Sequence, residues 1–208
     1  MRLRATLTLV VAAALASAAS AASPALTLAS SAPSVVFGKP VGLSGTLTPP
    51  KGNQQITIQA LACGTTNAVN VAHVKTAADG TYSFPSITPK VATSYQASQK
   101  GLKSAPVTVS VKPVVIITRV KRGSFTGKVT SNVDLKGKTL LFERYATARK
   151  RWVQVKKVTL TGTQSGLAVI NTTSFKAKVA KRARVRLLLN KAQAAPCYTS
   201  ATSNVVRN

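Results

Sequence analysis

Apolar and polar residues alternate with a period of two along most of this chain. Segments 40–48 and 105–111 carry valine, leucine or glycine at every second position, with small residues between them. This period gives a strand one face for a core and one face for water, as antiparallel sheets require. Turn signals such as Asp79-Gly80 separate the segments. No segment after residue 21 shows the period of an amphipathic helix, so the pattern predicts an all-β protein.

The first half of the chain holds about seven strand-like segments, spaced as Greek-key connections would allow. They lie near residues 26–36, 40–48, 55–61, 69–76, 80–85, 93–99 and 105–111. The pattern then begins again. Ser44-Gly45-Thr46-Leu47-Thr48 aligns with Thr126-Gly127-Lys128-Val129-Thr130, and Ile56-Thr57-Ile58 aligns with Leu140-Leu141-Phe142. The repeat predicts two successive domains of one plan.

The boundary is expected near Pro113, because proline cannot donate to a sheet ladder and suits a strand end or linker. We therefore expect one domain over residues 22–111 and a second over residues 112–208. The second half departs from the first between residues 166 and 189, where it is longer and carries an extra alternating run, Phe175 to Val179.

The repeated motifs resemble the tandem bacterial immunoglobulin-like repeats of exported actinobacterial proteins. The first half contains VGLSGTLTP, ITIQA, ADGTYSF, TSYQAS and SAPVTVSVKP, and the second contains FTGKVT, LLFER, RWVQV, RVRLLL and TSNVV. The resemblance implies two tandem immunoglobulin-like antiparallel β-sandwiches that serve as an adhesive module, spacer or appendage. This chain departs from such repeats in having almost no acidic residues and no accompanying catalytic domain.

The N-terminus has the pattern of a secretory signal peptide over residues 1–21. Arg2 and Arg4 precede an apolar stretch, and small-residue cleavage sites follow at 16–18 and 19–21. The apolar stretch is shorter than the roughly 20 residues that a membrane-spanning helix needs. We therefore expect a secreted or extracellular protein, either released or associated with the cell envelope. A retained membrane anchor is the alternative.

The net charge is the feature of the composition that says most about function. The chain has 29 Lys and Arg against 3 Asp and Glu, a formal net charge of +26. Residues 24–111 carry a net charge of +5, whereas residues 112–208 carry +19. A basic surface of this kind raises the local concentration of anionic polymers. The candidate polyanion-binding residues are Arg149, Lys150, Arg151, Lys156, Lys157, Lys176, Lys178, Lys181, Arg182, Arg184 and Arg186.

Lys176 and Lys178 flank Ala177, and Arg184 and Arg186 flank Val185, so these four cations share the outer face if the apolar positions of each strand face the core. The expected partners are anionic cell-wall polymers or a membrane surface. Aromatics are 5% of residues and are not interleaved with the basic runs, which disfavours nucleic acid. Trp152 is predicted to be a buried strand residue. The alternative for the whole set is a solvated face that only keeps the protein soluble.

Cys63 and Cys197 fall one in each repeat. With strands that alternate down and up, Cys63 falls at the bottom of the first domain and Cys197 at the top of the second, where the two domains meet. Export makes a bridge chemically reasonable, so the sequence predicts an interdomain disulfide. Two separate thiols are the alternative. Two cysteines without partner histidines do not form a zinc site.

Little in the chain can support acid–base chemistry. His73 is the only histidine, and it lies in a predicted strand with no acid beside it. There is no nucleophile elbow or phosphate-binding loop, and no cofactor or small-molecule substrate is expected. The sequon at Asn171 is interpreted as incidental. A hydrolase that uses serine or threonine without a recognisable motif is the weakest alternative.

The sequence therefore favours an exported, non-enzymatic immunoglobulin-like protein whose basic second domain binds anionic cell-envelope polymers. A structural spacer or appendage pair with no intrinsic ligand is the alternative function.

Overall fold

A computed structural model describes residues 23–208. The signal peptide predicted for residues 1–21 lies outside the described residues. Within residues 23–208 no helix has both the length and the apolar composition needed to cross a membrane. Nearly all of the regular structure is β-strand, in four sheets that pack as two sandwiches. The prediction of an all-β fold is confirmed.

The first sandwich uses ten strands, and β4, β5 and β8 are its longest central ones. The strands are β1 (Ala25–Leu26), β2 (Ala29–Ser30), β3 (Ser34–Val36), β4 (Val41–Thr48), β5 (Gln55–Ala62), β6 (Val69–Lys75), β7 (Thr81–Ile87), β8 (Thr93–Gln99), β9 (Leu102–Lys103) and β10 (Val107–Lys112). One sheet has the order β1-β4-β2, with β7 also on β4, and the other has the order β3-β10-β8-β5-β6, with β9 on β8. All pairs are antiparallel except β3 with β10.

The second sandwich uses nine strands and two short helical turns. They are β11 (Val114–Lys121), β12 (Ser124–Ser131), β13 (Thr139–Ala146), a 3-10 turn (Thr147–Arg149), β14 (Arg151–Thr159), β15 (Gly162–Gln164), β16 (Val169–Lys176), β17 (Arg184–Leu189), α1 (Lys191–Ala194), β18 (Ala201–Thr202) and β19 (Val206–Arg207). One sheet has the order β11-β12-β16-β15 and the other β14-β13-β17-β18, with β19 also on β17.

This strand order is immunoglobulin-like. In immunoglobulin lettering, β11, β12, β16 and β15 are strands A, B, E and D, and they face a sheet that contains C, F and G. In that second sheet, β13 is C, β17 is F, and the broken strand β18–β19 is G, while β14 adds an extra edge strand. The first sandwich has the same B–E and C–F–G pairings. The prediction of two immunoglobulin-like β-sandwiches is confirmed.

The repeat is visible in detail where the last strand of each sandwich joins its neighbour. The hydroxyl of Ser104 accepts the N–H of Ala97 at 3.0 Å, and the hydroxyl of Ser203 accepts the N–H of Leu187 at 2.8 Å. Each serine also donates its own N–H to the carbonyl of that same residue, at 2.9 Å in both cases. Ser104 and Ser203 therefore occupy equivalent positions in the two sandwiches.

Three local features differ from the sequence prediction. The strand expected over 26–36 is divided into β1, β2 and β3, because the chain crosses from one sheet to the other there. The alternating run from Phe175 to Val179 leaves the ladder at Lys176, although Ala177 and Val179 still pack against the core. The four-residue helix α1 was not predicted, and Asn190 caps it by accepting the N–H of Gln193 at 3.0 Å.

The sequon residue Asn171 is fully buried and organises the upper end of the second sandwich. Its amide oxygen accepts the N–H of Leu135 at 2.9 Å. Its amide nitrogen donates to Asp134 at 2.6 Å and to Thr163 at 3.0 Å. The N–H of Lys136 is the largest cause that lowers the pKa of Asp134 below its usual value, and the side chains of Asn171 and Thr163, which also donate to this carboxylate, lower it further. Burial of Asn171 also keeps the acceptor side chain of the sequon out of solvent in the folded protein.

Replacing Asn171 with alanine should lower the free energy of unfolding by about 1–3 kcal/mol, because the buried N–H of Leu135 loses its acceptor. Thr172→Ala is the matched control, since Thr172 is exposed on the same strand. Urea denaturation of the two variants measures the difference. Equal stability of the two variants would contradict a structural role for Asn171.

Candidate polyanion-binding site

Strand direction brings three connections of the second sandwich to one end of the molecule. The β11–β12 turn, the β13–β14 turn and the β16–β17 loop all lie at the end away from the first sandwich, because β11, β13 and β16 run in the same direction. We call this end, formed by residues 119–124, 147–151, 176–184 and 207–208, the basic pole. The three connections lie at this end because successive strands of the sandwich alternate in direction.

Eight of the eleven candidate cations lie at the basic pole and are exposed. They are Arg149, Lys150, Arg151, Lys176, Lys178, Lys181, Arg182 and Arg184. Lys150 and Arg182 adopt positive φ values of 48° and 61°, so both sit at sharp reversals of the chain. The prediction that residues 149–151 lie in or beside the loop before Trp152 is confirmed. Cations at reversals project into solvent, where a polymer can reach them.

The pole also contains exposed cations that were not among the candidates: Arg119, Lys121, Arg122 and Arg207. Arg119 donates to the main-chain oxygen of Arg207 at 3.2 Å, which ties the first strand of the sandwich to the last. The sequence could have indicated two of these cations, Lys121 and Arg122, because they precede a glycine in a turn. Lys121-Arg122-Gly123 is a glycine-containing turn, and Gly123 has a φ of 70°.

A recess of 930 Å³ opens at the pole between two walls. Lys121, Arg122, Gly123 and Ser124 form one wall, from the β11–β12 turn. The other wall comes from residues 176–180, which include Lys176 and Lys178, and Asn208 lies between the two walls. The recess therefore has cationic side chains on both sides and no carboxylate side chain among the residues that line it.

Asn208 joins the two walls and is itself buried, with only 4% of the residue exposed. Its amide oxygen accepts the N–H of Gly123 at 2.7 Å. Its amide nitrogen donates to the carbonyl of Val179 at 2.8 Å and to that of Ala180 at 3.3 Å. The N–H of Ala177 also donates to the carbonyl of Gly123 at 2.9 Å. The walls are thus held at a fixed spacing by neutral hydrogen bonds.

Arg184 and Arg186 are engaged by other side chains. The guanidinium of Arg184 lies 4.0 Å from the ring centroid of Tyr145, and that of Arg186 lies 4.2 Å from the ring centroid of Trp152. Arg186 also donates to Glu143 at 2.8 Å. This is the one ion pair among residues 23–208. These contacts join side chains of β13, β14 and β17 on the outer face of their sheet. Arg186 therefore stabilises the sheet and is less available to a ligand than the cations of the pole.

The prediction that Trp152 is buried in a core was wrong. Trp152 is half-buried on the outer face of its sheet, where it meets Tyr145 edge-on at 5.4 Å between centroids. The alternation around it gives the reason. Trp152 and Gln154 share one face of β14 and Val153 the other, so the apolar valine faces inward and the tryptophan outward. Arg186 covers the ring and shields it from water.

The expectation that Lys176, Lys178, Arg184 and Arg186 share one outer face was also wrong. Lys176 is on β16, whereas Arg184 and Arg186 are on β17, and those strands belong to opposite sheets. Lys156 and Lys157 lie on β14, about 17 Å along the strand from Arg151. The amine of Lys156 donates to the carbonyl of Lys176 at 3.3 Å. What brings the cations together is one end of the sandwich, not one face.

Cys63 and Cys197 form a disulfide, with Cα atoms 5.3 Å apart across 134 positions of sequence. The prediction of a bridge between the two repeats is confirmed. Around it, the N–H of Ala92 donates to the carbonyl of Cys197 at 2.9 Å. Tyr198 accepts the N–H of Asn132 at 2.7 Å and donates to the carbonyl of Lys90 at 3.0 Å. The bridge lies at the opposite end of the second sandwich from the basic pole.

His73 and Asp79 both have local hydrogen-bond partners. His73 is exposed on β6 and its Nδ1 lies 3.2 Å from the hydroxyl of Thr57. Asp79 accepts the N–H and the hydroxyl of Thr81, at 2.9 and 2.7 Å, and these bonds lower its pKa, the backbone bond being the larger cause. Gly80 at a φ of 79° confirms the predicted turn.

Comparisons with known proteins give little beyond the fold. No protein-family model matches this chain, and no curated protein matches it in sequence. Among solved structures, 398 chains match. One is a marsupial T cell receptor, with a TM-score of 0.31 and 9% sequence identity over 85% of this chain and 99% of that chain. The immunoglobulin-like assignment therefore rests on the strand order and registers of the two sandwiches.

Proposed function

We propose that this is an exported, non-enzymatic protein whose second sandwich binds anionic cell-envelope polymers through the basic pole. The single observation that carries the proposal is the collection of exposed cations from three separate connections at one end of the sandwich. These cations have no carboxylate partner among residues 23–208, where the only ion pair is that of Arg186 with Glu143. Unpaired cations on one end of a molecule repel one another, and an anionic polymer relieves that repulsion.

The charge distribution supports the same function. Residues 112–208 carry a net charge of +19, whereas residues 24–111 carry +5. A protein that needed charge only for solubility would gain as much from cations spread over both sandwiches. The disulfide is compatible with an extracellular site of action. The proposal also includes membership of the bacterial immunoglobulin-like repeats, export by the signal peptide and association with the cell envelope.

The proposal is tested by retention of the full chain on purified cell walls as a function of salt. Counterion release makes polyanion binding salt-dependent. With several cations in contact, retention should fall at least about 100-fold between about 50 mM and about 200 mM salt. Replacing Arg149, Lys150 and Arg151 with glutamine should weaken retention and reduce its salt dependence. Stability should change little, because exposed charges contribute little to it.

The matched control removes the same charge from the first sandwich. Lys39, Lys51 and Lys75 are exposed there, and their replacement with glutamine lowers the net charge equally. Retention of the control variant should stay near that of the natural chain. Equal loss in both variants would mean that total charge, not the pole, is responsible. Retention that salt does not affect would favour a spacer or appendage without a ligand of its own.

A further inference from the structure

We infer that the recess at the basic pole is a subsite for one phosphoryl group of the bound polymer, and that Asn208 is the positioning residue that shapes it. This inference rests on the proposed function, because it names the ligand chemistry of the same pole. It goes further in one respect: it replaces a diffuse attraction between charges with a site of defined geometry.

The arrangement of cations favours a tetrahedral anion. Lys121 and Arg122 approach the recess from one wall, and Lys176 and Lys178 from the other. The oxygens of a phosphoryl group point in several directions, so donors on two opposing walls can each reach one. A carboxylate has two oxygens in one plane, which a single arginine fork already satisfies. Cations on opposite walls are therefore better matched by phosphate than by carboxylate.

Main-chain groups add neutral donors to the second wall. Within residues 23–208, the N–H groups of Lys178 and Ala180 donate to no protein acceptor. Both residues line the recess, in the segment that leaves the ladder after Lys176. Backbone N–H groups beside cationic side chains are a common setting for phosphate oxygens. This gives a reason for the irregular backbone at 177–180, where the alternating sequence would have permitted a longer strand.

Asn208 adds hydrogen bonds between the two walls without adding charge. Its amide bonds Gly123 on one wall, and Val179 and Ala180 on the other. Asn208→Ala removes these three bonds and leaves the net charge unchanged, while the Ala177–Gly123 bond and the β12–β16 ladder still join the walls. A shaped subsite must lose phosphate affinity when the shape of the recess changes in this way. A diffuse basic surface has the same charge before and after the change and should bind polymers equally well.

The experiment measures the affinity of the full chain for two soluble polymers of matched charge, polyphosphate and polyglutamate, by calorimetry at about 150 mM salt. Polyphosphate should bind at least about tenfold more tightly, since a charge-assisted hydrogen bond is worth about a factor of ten or more. Lys121→Gln and Lys176→Gln should each weaken polyphosphate binding about tenfold. The paired control Lys136→Gln with Lys138→Gln, at the other end of the sandwich, should leave it unchanged.

Asn208→Ala should weaken polyphosphate binding about tenfold and leave polyglutamate binding unchanged. Lys121→Gln and Lys176→Gln keep the test decisive if Asn208→Ala fails to fold, because both lysines are exposed. Equal affinity for the two polymers would overturn the subsite while the proposed function stands. An unchanged polyphosphate affinity in a folded Asn208→Ala variant would overturn the role of Asn208. Binding to anionic phospholipid vesicles but not to polyphosphate would overturn the polymer ligand in favour of a membrane surface.

Discussion

Replacing Gly45 with alanine should lower the free energy of unfolding by about 3 kcal/mol or more. Gly45 lies on β4 directly opposite Tyr82 on β7. A Cβ atom at Gly45 would lie 2.1 Å from the carbonyl oxygen of Thr27 and 2.5 Å from the hydroxyl of Tyr82. Neither atom can move cheaply, because the Tyr82 hydroxyl donates to the same Thr27 carbonyl. Burial raises the pKa of Tyr82 to about 12, so the hydroxyl remains a donor through neutral pH.

Thr27 is itself hydrogen-bonded to β4, which is why the expected loss of stability is large. Its N–H donates to the carbonyl of Thr46 at 3.0 Å, and its hydroxyl accepts the N–H of Thr46 at 2.9 Å. A methyl group at Gly45 would have to displace this whole segment from the sheet. Urea denaturation followed by circular dichroism measures the loss as a shift of the midpoint.

The repeat provides a matched control at Gly127, the residue that aligns with Gly45. A Cβ atom there would meet Leu187 Cδ1 at 2.8 Å and Thr173 Cγ2 at 3.1 Å. Both atoms are the ends of side chains that can rotate, so Gly127→Ala should cost only about 1–2 kcal/mol. A Gly45→Ala variant no less stable than Gly127→Ala would show that the Tyr82–Thr27 contact yields more easily than the structure indicates.

For these two glycines the sequence predicted the position in the strand but not the atoms that surround it. Alternation and repeat alignment placed Gly45 and Gly127 correctly at equivalent positions of equivalent strands. They could not distinguish backbone from side-chain neighbours, because that depends on β1 and β2, which the sequence suggested only as one segment. Strand identity is a local property of the pattern. The neighbours of a residue are set by the packing of elements that are far apart in sequence.

The candidate site shows the same limit. Exposed cations at 149–151 and 176–182 were identifiable from composition, because polar residues between strands face solvent. The β11–β12 turn with Lys121 and Arg122 was missed, since no residue near it indicates that it meets the β16–β17 loop. That meeting follows from the pairing of β12 with β16, and Asn208, 85 positions from Gly123, adds side-chain bonds to it. A single asparagine carries no signal in one sequence, although its three bonds contribute to the shape of the recess.

Trp152 shows an error of a different kind. The residue type suggested a core, because tryptophan brings a large apolar surface. The position suggested the opposite, since Trp152 alternates with Val153 and shares a face with Gln154. Trp152 lies on the outer face, as its position in the alternation indicates. The ring is covered there by Arg186 of β17, whose guanidinium lies 4.2 Å from the ring centroid. In a chain this basic, an aromatic residue on an outer face can be shielded by a guanidinium instead of by other apolar residues.

The junction gives the second large effect that we expect. The connection from β17 to β18 is long, residues 190–200, whereas its counterpart from β8 to β9 is a turn at 100–101. The long connection carries Cys197 and Tyr198 and reaches the first sandwich at Lys90 and Ala92. This extension of the repeat plan therefore holds the two sandwiches together.

Replacing Cys63 and Cys197 with serine should lower the free energy of unfolding by about 2–5 kcal/mol, because the bridge closes a loop of 134 positions that restricts the unfolded chain. Without the bridge, the two sandwiches should also unfold in two separate transitions. Tyr198→Phe is the matched control: it removes the hydroxyl that joins Lys90 to Asn132 and keeps the bridge, so it should cost about 1–3 kcal/mol. Urea denaturation with two probes measures both effects. Two freely alkylated thiols in the exported protein, or a double serine variant as stable as the natural chain, would contradict a junction that depends on this bond.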